Sequence, residues 1–161
     1  GCGADFITIY TGEGWPIASE EVLRRLGFSG EEIQAIVEEA HRQGYRVIAH
    51  TMTLPQARHA AENGVDRVEH GPYTYEPEFV PMLQKTGASW CPTLSHLHWF
   101  FEEREKLRLT PEVAARMGNG LPARARMLTA ALDAGINVLS RTDTRMPPKA
   151  AHKGHEHEPQ V

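Results

Sequence analysis

Short runs of apolar residues, rich in β-branched and aromatic side chains, recur along the chain. Each run has the length of a β-strand and is bounded by glycine or polar residues. The strand-like runs cover residues 5–10, 45–50, 66–70, 88–94 and 136–143. Patterns with helical spacing lie between them, and strands that alternate with helices predict a parallel sheet.

The segment after residue 28 has the clearest helical pattern. Ser29 and Glu32 have the spacing of a capping box, apolar residues recur on one face, and Gly44 stands where helices commonly end. A similar, shorter pattern follows Thr53, and a third one ends at Gly87. These segments predict three helices that each connect one strand to the next.

The last third of the chain predicts a longer helical region. It begins at Thr110 with Pro111 in the first turn, and its pattern continues to Gly135. The glycines and proline of residues 118–122 predict a break in this region. Residues 95–109, before it, predict an inserted loop and helix whose aromatic side chains serve packing.

A weak internal repeat connects these elements. In each unit a helix-ending glycine is followed by a short strand whose last residue is polar. The polar residues are His50, His70, Thr93 and Asp143. Because parallel strands end at the same edge of a sheet, where α/β proteins place their active sites, we expect these side chains to be positioned for chemistry.

Composition narrows the classes of partner. With 161 residues, 40% of them hydrophobic and 24% charged, the chain predicts one ordinary globular domain. The net charge of −4 gives no basic surface for nucleic acid or membranes, so a small-molecule substrate is the expected partner.

The two cysteines and the N-terminal sequence indicate the cellular compartment in which the protein is expected. Cys2 and Cys91 lie far apart in sequence, which disfavours a disulfide framework and indicates reduced thiols. No apolar run reaches membrane-spanning length and no signal peptide is recognisable, so a cytoplasmic location is expected. The chain opens almost directly on a strand, which is equally typical of a piece of a longer protein.

His50, His70 and Asp143 together predict a metal site. Imidazole nitrogen and carboxylate oxygen are ligands that zinc accepts, and catalytic zinc sites use such mixed sets. The carboxylate can also accept a proton from an attacking water. A single histidine at a strand end is more often structural, but two at equivalent positions with an aspartate at a third favour the metal.

The other histidines have simpler interpretations. His41 and His59 lie on predicted helices, where exposure or helix packing is expected. His96 and His98 follow the fourth strand closely enough to reach the same edge, and His96 is a candidate substrate contact. The histidines of the C-terminal tail could bind metal only adventitiously.

Several ordered segments resemble the metal-dependent amidohydrolase superfamily, in its imidazolonepropionase-like and prolidase-like branch. They are "GADFITIYTGEG", "YRVIAHTMTLPQARHAAENGVDRVEHG", "ASWCPTL" and "GINVLSRTDT", which span most of residues 1–148. The resemblance implies that His50 and His70 bind metal at the ends of barrel strands five and six. It implies that Asp143 ends strand eight, binds metal and moves the proton of the attacking water, and that Tyr73 contacts substrate.

The chain also departs from the family pattern. Thr8 stands where relatives commonly carry a lysine that bridges two metals, which favours one metal ion, most simply zinc. Arg141 and Arg145 replace glycines that usually flank the "TDT" core. The His-x-His pair of the first barrel strand has no counterpart here.

These observations predict an α/β fold, a partial TIM-like (β/α) barrel of about five parallel strands alternating with helices. The barrel part covers residues 1–148, and residues 149–161 form a flexible C-terminal tail. Because a full barrel takes about 250 residues, the open flank is expected to be covered by self-association.

Three functions remain open at this stage. The first is a metal-dependent hydrolase that acts on the C–N bond of an amide, dipeptide or cyclic amide. The second is an inactive half-barrel fragment or binding scaffold that lacks the first-strand ligands. The third is a metal-independent enzyme that uses His50 as acid or base.

Overall fold

A computed structural model describes residues 4–12 and 18–141 of the chain. Within these residues, strands alternate with helices, and the strands form one parallel sheet in chain order. The strands are β1 (Phe6–Tyr10), β2 (Arg46–Thr51), β3 (Arg67–His70) and β4 (Ser89–Cys91). The predicted α/β fold with a partial barrel sheet is confirmed.

The helices connect successive strands. They are α1 (Glu20–Leu23), α2 (Gly30–Arg42), α3 (Leu54–Glu62), α4 (Phe79–Thr86), α5 (Leu94–Glu102) and α6 (Pro111–Asp133). The capping box predicted for α2 is present, because Ser29 accepts from the Glu32 backbone and Glu32 accepts from the Ser29 backbone. Thr53 caps α3 and Thr110 caps α6, as their sequence positions predict.

The predicted break at residues 118–122 is wrong, because α6 runs without interruption and contains Pro122. The glycines of this segment serve close packing instead. A Cβ on Gly118 would lie 2.7 Å from the Phe101 ring, and one on Gly120 would lie 3.3 Å from both Leu97 and Tyr73. The segment is therefore the surface by which α6 approaches α5.

The fourth and fifth predicted strands are shorter than their sequence patterns. Strand β4 ends at Cys91 because Thr93 adopts a left-handed φ of 46° and α5 begins directly afterwards. In the fifth segment, Val138 forms one parallel bridge with Trp90, and the Leu139 amide donates to the Trp90 carbonyl over 2.8 Å. The rest of this segment beyond Arg141 lies outside the described residues.

The sheet has one face covered by helices. Alternating strand residues such as Val47, Ala49, Val68 and Trp90 pack into hydrophobic clusters with α2, α3, α4 and α6. The opposite face carries Ile48, His50, Arg67 and Glu69, at positions that face the interior of a barrel. Most of the polar strand side chains therefore lie on this second face, which is called the concave face below.

Strand β1 is the edge of the described sheet. Its residues Phe6, Ile7 and Tyr10 are 39%, 38% and 57% exposed, which is high for large apolar side chains. The expected self-association along this flank stays a prediction, and the predicted tail, residues 149–161, lies outside the described residues.

No helix in the described part of the chain has the length and apolar character needed to cross a bilayer. The cytoplasmic location stays a prediction from the sequence.

Candidate active site

Two predicted ligands meet at the carboxyl ends of neighbouring strands. His50 lies in β2 and His70 ends β3, and their ring centroids are 4.6 Å apart with an interplanar angle of 73°. The residue aligned with His50 across the sheet is Glu69, so a regular strand would turn His70 toward the opposite face. Instead His70 has a left-handed φ of 63°, and its ring reaches His50.

A left-handed backbone conformation and a hydrogen bond set the orientation of the His70 ring. Both His70 and Thr93 adopt left-handed backbone conformations, which side-chain-bearing residues rarely do and which occur often at functional sites. The His70 Nδ1 atom lies 2.6 Å from the Thr93 hydroxyl. With the proton on Nδ1 and donated to Thr93, Nε2 keeps the lone pair that a metal ion requires.

The electrostatic surroundings keep His70 neutral. Burial lowers the pKa of His70 well below its usual value of 6.5, and the charges of His50, Arg124, His96 and Arg141 lower it further. A neutral imidazole is the form that binds metal. The electrostatic environment of this ring is therefore compatible with a metal ligand at neutral pH.

The described residues supply only part of a metal site. Among them, no group of three or more histidine, cysteine or acidic side chains is arranged to hold an ion. His50 and His70 fit as two imidazole donors, whereas Asp143, the predicted third ligand and proton acceptor, lies outside the described residues.

The two predicted substrate contacts have different surroundings. Tyr73 is only 6% exposed and donates its hydroxyl to the Met52 sulfur over 2.9 Å. His96 is also buried, with its ring 5.9 Å from His70 and 4.8 Å from Phe100. His96 therefore lies beside the histidine pair and Tyr73 lies within an apolar cluster, and the substrate role of each stays a prediction.

The remaining histidines are engaged elsewhere. His41 contacts Asp66 over 2.8 Å at the surface, and His59 contacts the Phe28 carbonyl over 2.9 Å. His98 forms an ion pair with Glu102 over 3.2 Å. The exposure or packing predicted for the helical histidines is confirmed, and the tail histidines lie outside the described residues.

Sequence reasoning missed Arg124, which braces the site. This side chain of α6 is 1% exposed. It donates to the carbonyls of Gly71, Pro72 and Pro92 over 2.8, 3.2 and 3.0 Å. The loop after His70 is thereby tied to the loop before Thr93. An arginine on the apolar face of a helix, between Met117 and Met127, was the available signal.

Sequence reasoning also missed Tyr10 and Glu69. The Tyr10 ring lies 4.5 Å from His50, at the exposed end of β1. Glu69 is a buried carboxylate one residue before His70. Both residues lie near strand ends, beside the predicted ligands His50 and His70. Tyrosine is common in strands and glutamate is common on surfaces, so neither residue type indicated a functional position.

Solved structures with the same fold carry related names. An amidohydrolase is 29% identical, with a TM-score of 0.72 over 96% of this chain and 38% of its own. A prolidase complexed with N-methylphosphonate-L-proline is 26% identical, with a TM-score of 0.71 over 88% of this chain and 34% of its own. The ochratoxinase of A. niger is 25% identical, with a TM-score of 0.73 over 88% of this chain and 31% of its own.

Sequence comparison gives relatives without an assigned activity. Uncharacterized proteins of Mycobacterium tuberculosis and Mycobacterium bovis are 28% identical over 138 residues, which cover 82% of this chain. The chain spans 37% of the length of these relatives. No protein-family model matches the chain.

The fold of this chain is similar to part of the barrel of amidohydrolase and prolidase structures, which is consistent with the amidohydrolase superfamily. Its structural relatives lie in the prolidase-like branch, and the chain corresponds to the C-terminal part of these proteins. The resemblance predicted from the sequence is confirmed to this level.

Proposed function

We propose that this chain contributes a metal site to a hydrolase that cleaves the C–N bond of an amide, dipeptide or cyclic amide. The observation that carries the proposal is the contact of His50 with His70 at the ends of adjacent strands, where their ring centroids are 4.6 Å apart. The names prolidase and amidohydrolase, carried by structures with this fold, support the choice of bond.

The residues of this chain have distinct proposed roles. His50 and His70 hold a single divalent ion, most simply zinc, and Asp143 completes the site as third ligand and proton acceptor. When bound, such an ion would lower the pKa of water to near neutrality and thereby supply a nucleophile. Thr93 keeps the His70 ring oriented through its hydroxyl.

Zinc binding to purified chain without an affinity tag tests this proposal. Because the tail histidines could bind zinc adventitiously, the reference is a variant with alanine at His152, His155 and His157. We expect this reference to bind about one zinc ion, and His50→Ala or His70→Ala in the same background to lose it. The control His41→Ala removes a surface histidine and should leave the stoichiometry unchanged.

The outcomes separate the proposed hydrolase from a binding scaffold. Zinc near zero in the reference, even after addition of excess metal, would contradict the proposed site. Stoichiometric zinc without hydrolysis of prolyl dipeptides or amides would favour the scaffold. Turnover that Asp143→Asn abolishes, with zinc still bound, would support the hydrolase.

Removal of the Thr93 hydroxyl should weaken zinc binding without removing a ligand. In Thr93→Val the His70 ring loses the contact that orients it, and we expect zinc affinity to fall by about 10- to 100-fold. Competition with a chelating dye measures the change. The control Thr86→Val removes a hydroxyl that bonds within α4, and it should not alter affinity. Equal affinities for both variants would show that Thr93 has no such role.

A further inference from the structure

On the concave face of the sheet, Glu69, which is aligned with His50, forms an ion pair. The Arg141 Nη1 atom donates to both carboxylate oxygens of Glu69 over 3.0 and 3.3 Å. Arg67 approaches the same carboxylate with one nitrogen at 3.4 Å. The Glu69 side chain is 7% exposed and that of Arg67 is 18% exposed, whereas the Arg141 side chain is 44% exposed, so Arg141 reaches a buried carboxylate from the side open to water.

The cluster carries an excess of positive charge. Arg67 and Arg141 supply two guanidinium groups against the one carboxylate of Glu69. Both guanidinium groups also lie over the ring of Phe6 in β1, with distances to the ring centroid of 5.6 and 6.0 Å. Arg141 therefore reaches from the end of the described chain across the concave face toward the first strand.

This charge lies close to the proposed ligands. Glu69 immediately precedes His70 in β3 and is the residue aligned with His50 of β2. The Arg141 guanidinium group binds the Glu69 carboxylate over 3.0 Å, so its positive charge lies on the strand that ends at His70. A divalent ion bound between His50 and His70 would experience the field of this charge.

We propose that Arg141, held by Glu69, is a resident cation of the barrel interior that sets the affinity of the histidine pair for a divalent metal ion. The inference rests on the proposed metal site and assigns its electrostatic control to residues that are not ligands. Arg141 stands where the resemblance places a glycine, so this cation is a feature of the present chain.

Charge substitutions make the proposal testable, because the two members of the pair should act in opposite directions. Arg141→Met removes a positive charge, and we expect zinc to bind about tenfold more tightly. Glu69→Gln leaves the guanidinium groups without their carboxylate, and we expect binding about tenfold weaker. The double variant keeps the net charge and should lie within about threefold of the parent.

The experiment is a zinc titration against a chelating dye, in the full chain with the tail histidines replaced by alanine. The Arg58–Glu78 pair on α3 and before α4 offers the matched controls Arg58→Met and Glu78→Gln, which change the same charges at the surface. These controls should leave the affinity unchanged. Circular dichroism establishes that each variant is folded, and the double variant keeps the test valid if Glu69→Gln alone unfolds.

Each outcome of the zinc titrations either supports or overturns the inference. Opposite shifts with recovery in the double variant support the resident cation. Weaker binding in both single variants would identify a purely structural brace, and unchanged binding in both would show that the pair is not felt at the site; either result overturns the inference while the metal site stands. No binding by any variant would overturn the proposed function and the inference together.

Discussion

Replacement of Arg124 by methionine is expected to lower the free energy of unfolding by about 3 kcal/mol or more. Methionine fills a similar volume but donates no hydrogen bond, so the carbonyls of Gly71, Pro72 and Pro92 lose their Arg124 bonds inside the protein. Each buried carbonyl that loses its donor costs about 1–3 kcal/mol. Chemical denaturation followed by circular dichroism measures the difference.

A control on the same helix separates this effect from loss of charge. Arg126 is exposed on α6 and stacks on Tyr75 at 4.0 Å, so Arg126→Met should cost no more than about 1 kcal/mol. If the two variants were equally stable, the Arg124 hydrogen bonds would not contribute measurably.

Replacement of Trp90 by alanine is expected to lower the free energy of unfolding by about 3–5 kcal/mol. Trp90 is fully buried in the cluster that joins the sheet to α4 and α6, and it packs edge-to-face on Phe79 with centroids 5.0 Å apart. Its indole nitrogen also donates to the His70 carbonyl over 3.1 Å. Alanine therefore leaves a cavity in the core, and the His70 carbonyl at the end of β3 loses the Trp90 hydrogen bond.

Trp99 provides the matched control for this substitution. It is half-buried on α5 and packs against Phe100 with centroids 5.1 Å apart. We expect Trp99→Ala to cost less than half as much, because the site is open to water and leaves a smaller cavity. Thermal unfolding of the variants compares the effects, and equal losses would contradict the central position of Trp90 in the core.

Local sequence signals predicted most of the scaffold because they depend on nearby residues. The capping box of Ser29 and Glu32, the threonine caps and the glycine ends act within one or two helical turns. The repeat of a glycine followed by a strand that ends on a polar residue predicted that His50, His70, Thr93 and Asp143 would lie at one edge of the sheet. The contacts of His70 with His50 and Thr93 agree with this for the first three, and Asp143 lies outside the described residues.

Features that depend on distant contacts could not be predicted from the sequence. Pro122 suggests a break, yet packing between α5 and α6 keeps the helix continuous. The direction of the His70 ring depends on a left-handed backbone that a strand pattern does not reveal. The partner of Arg141 is Glu69, which lies far away in sequence, so no local pattern predicts this contact.

The brace formed by Arg124 has a consequence for sequence change in the loops. All three of its acceptors in the loops are main-chain carbonyls, which every amino acid possesses. Gly71 is the exception, because its φ of 80° and the closeness of Phe79 and Trp90 require glycine. Other side chains in these loops can be exchanged while the hydrogen bonds that position the loops remain, so a library that keeps Arg124 and Gly71 should retain folded members and is a starting point for engineering new specificities.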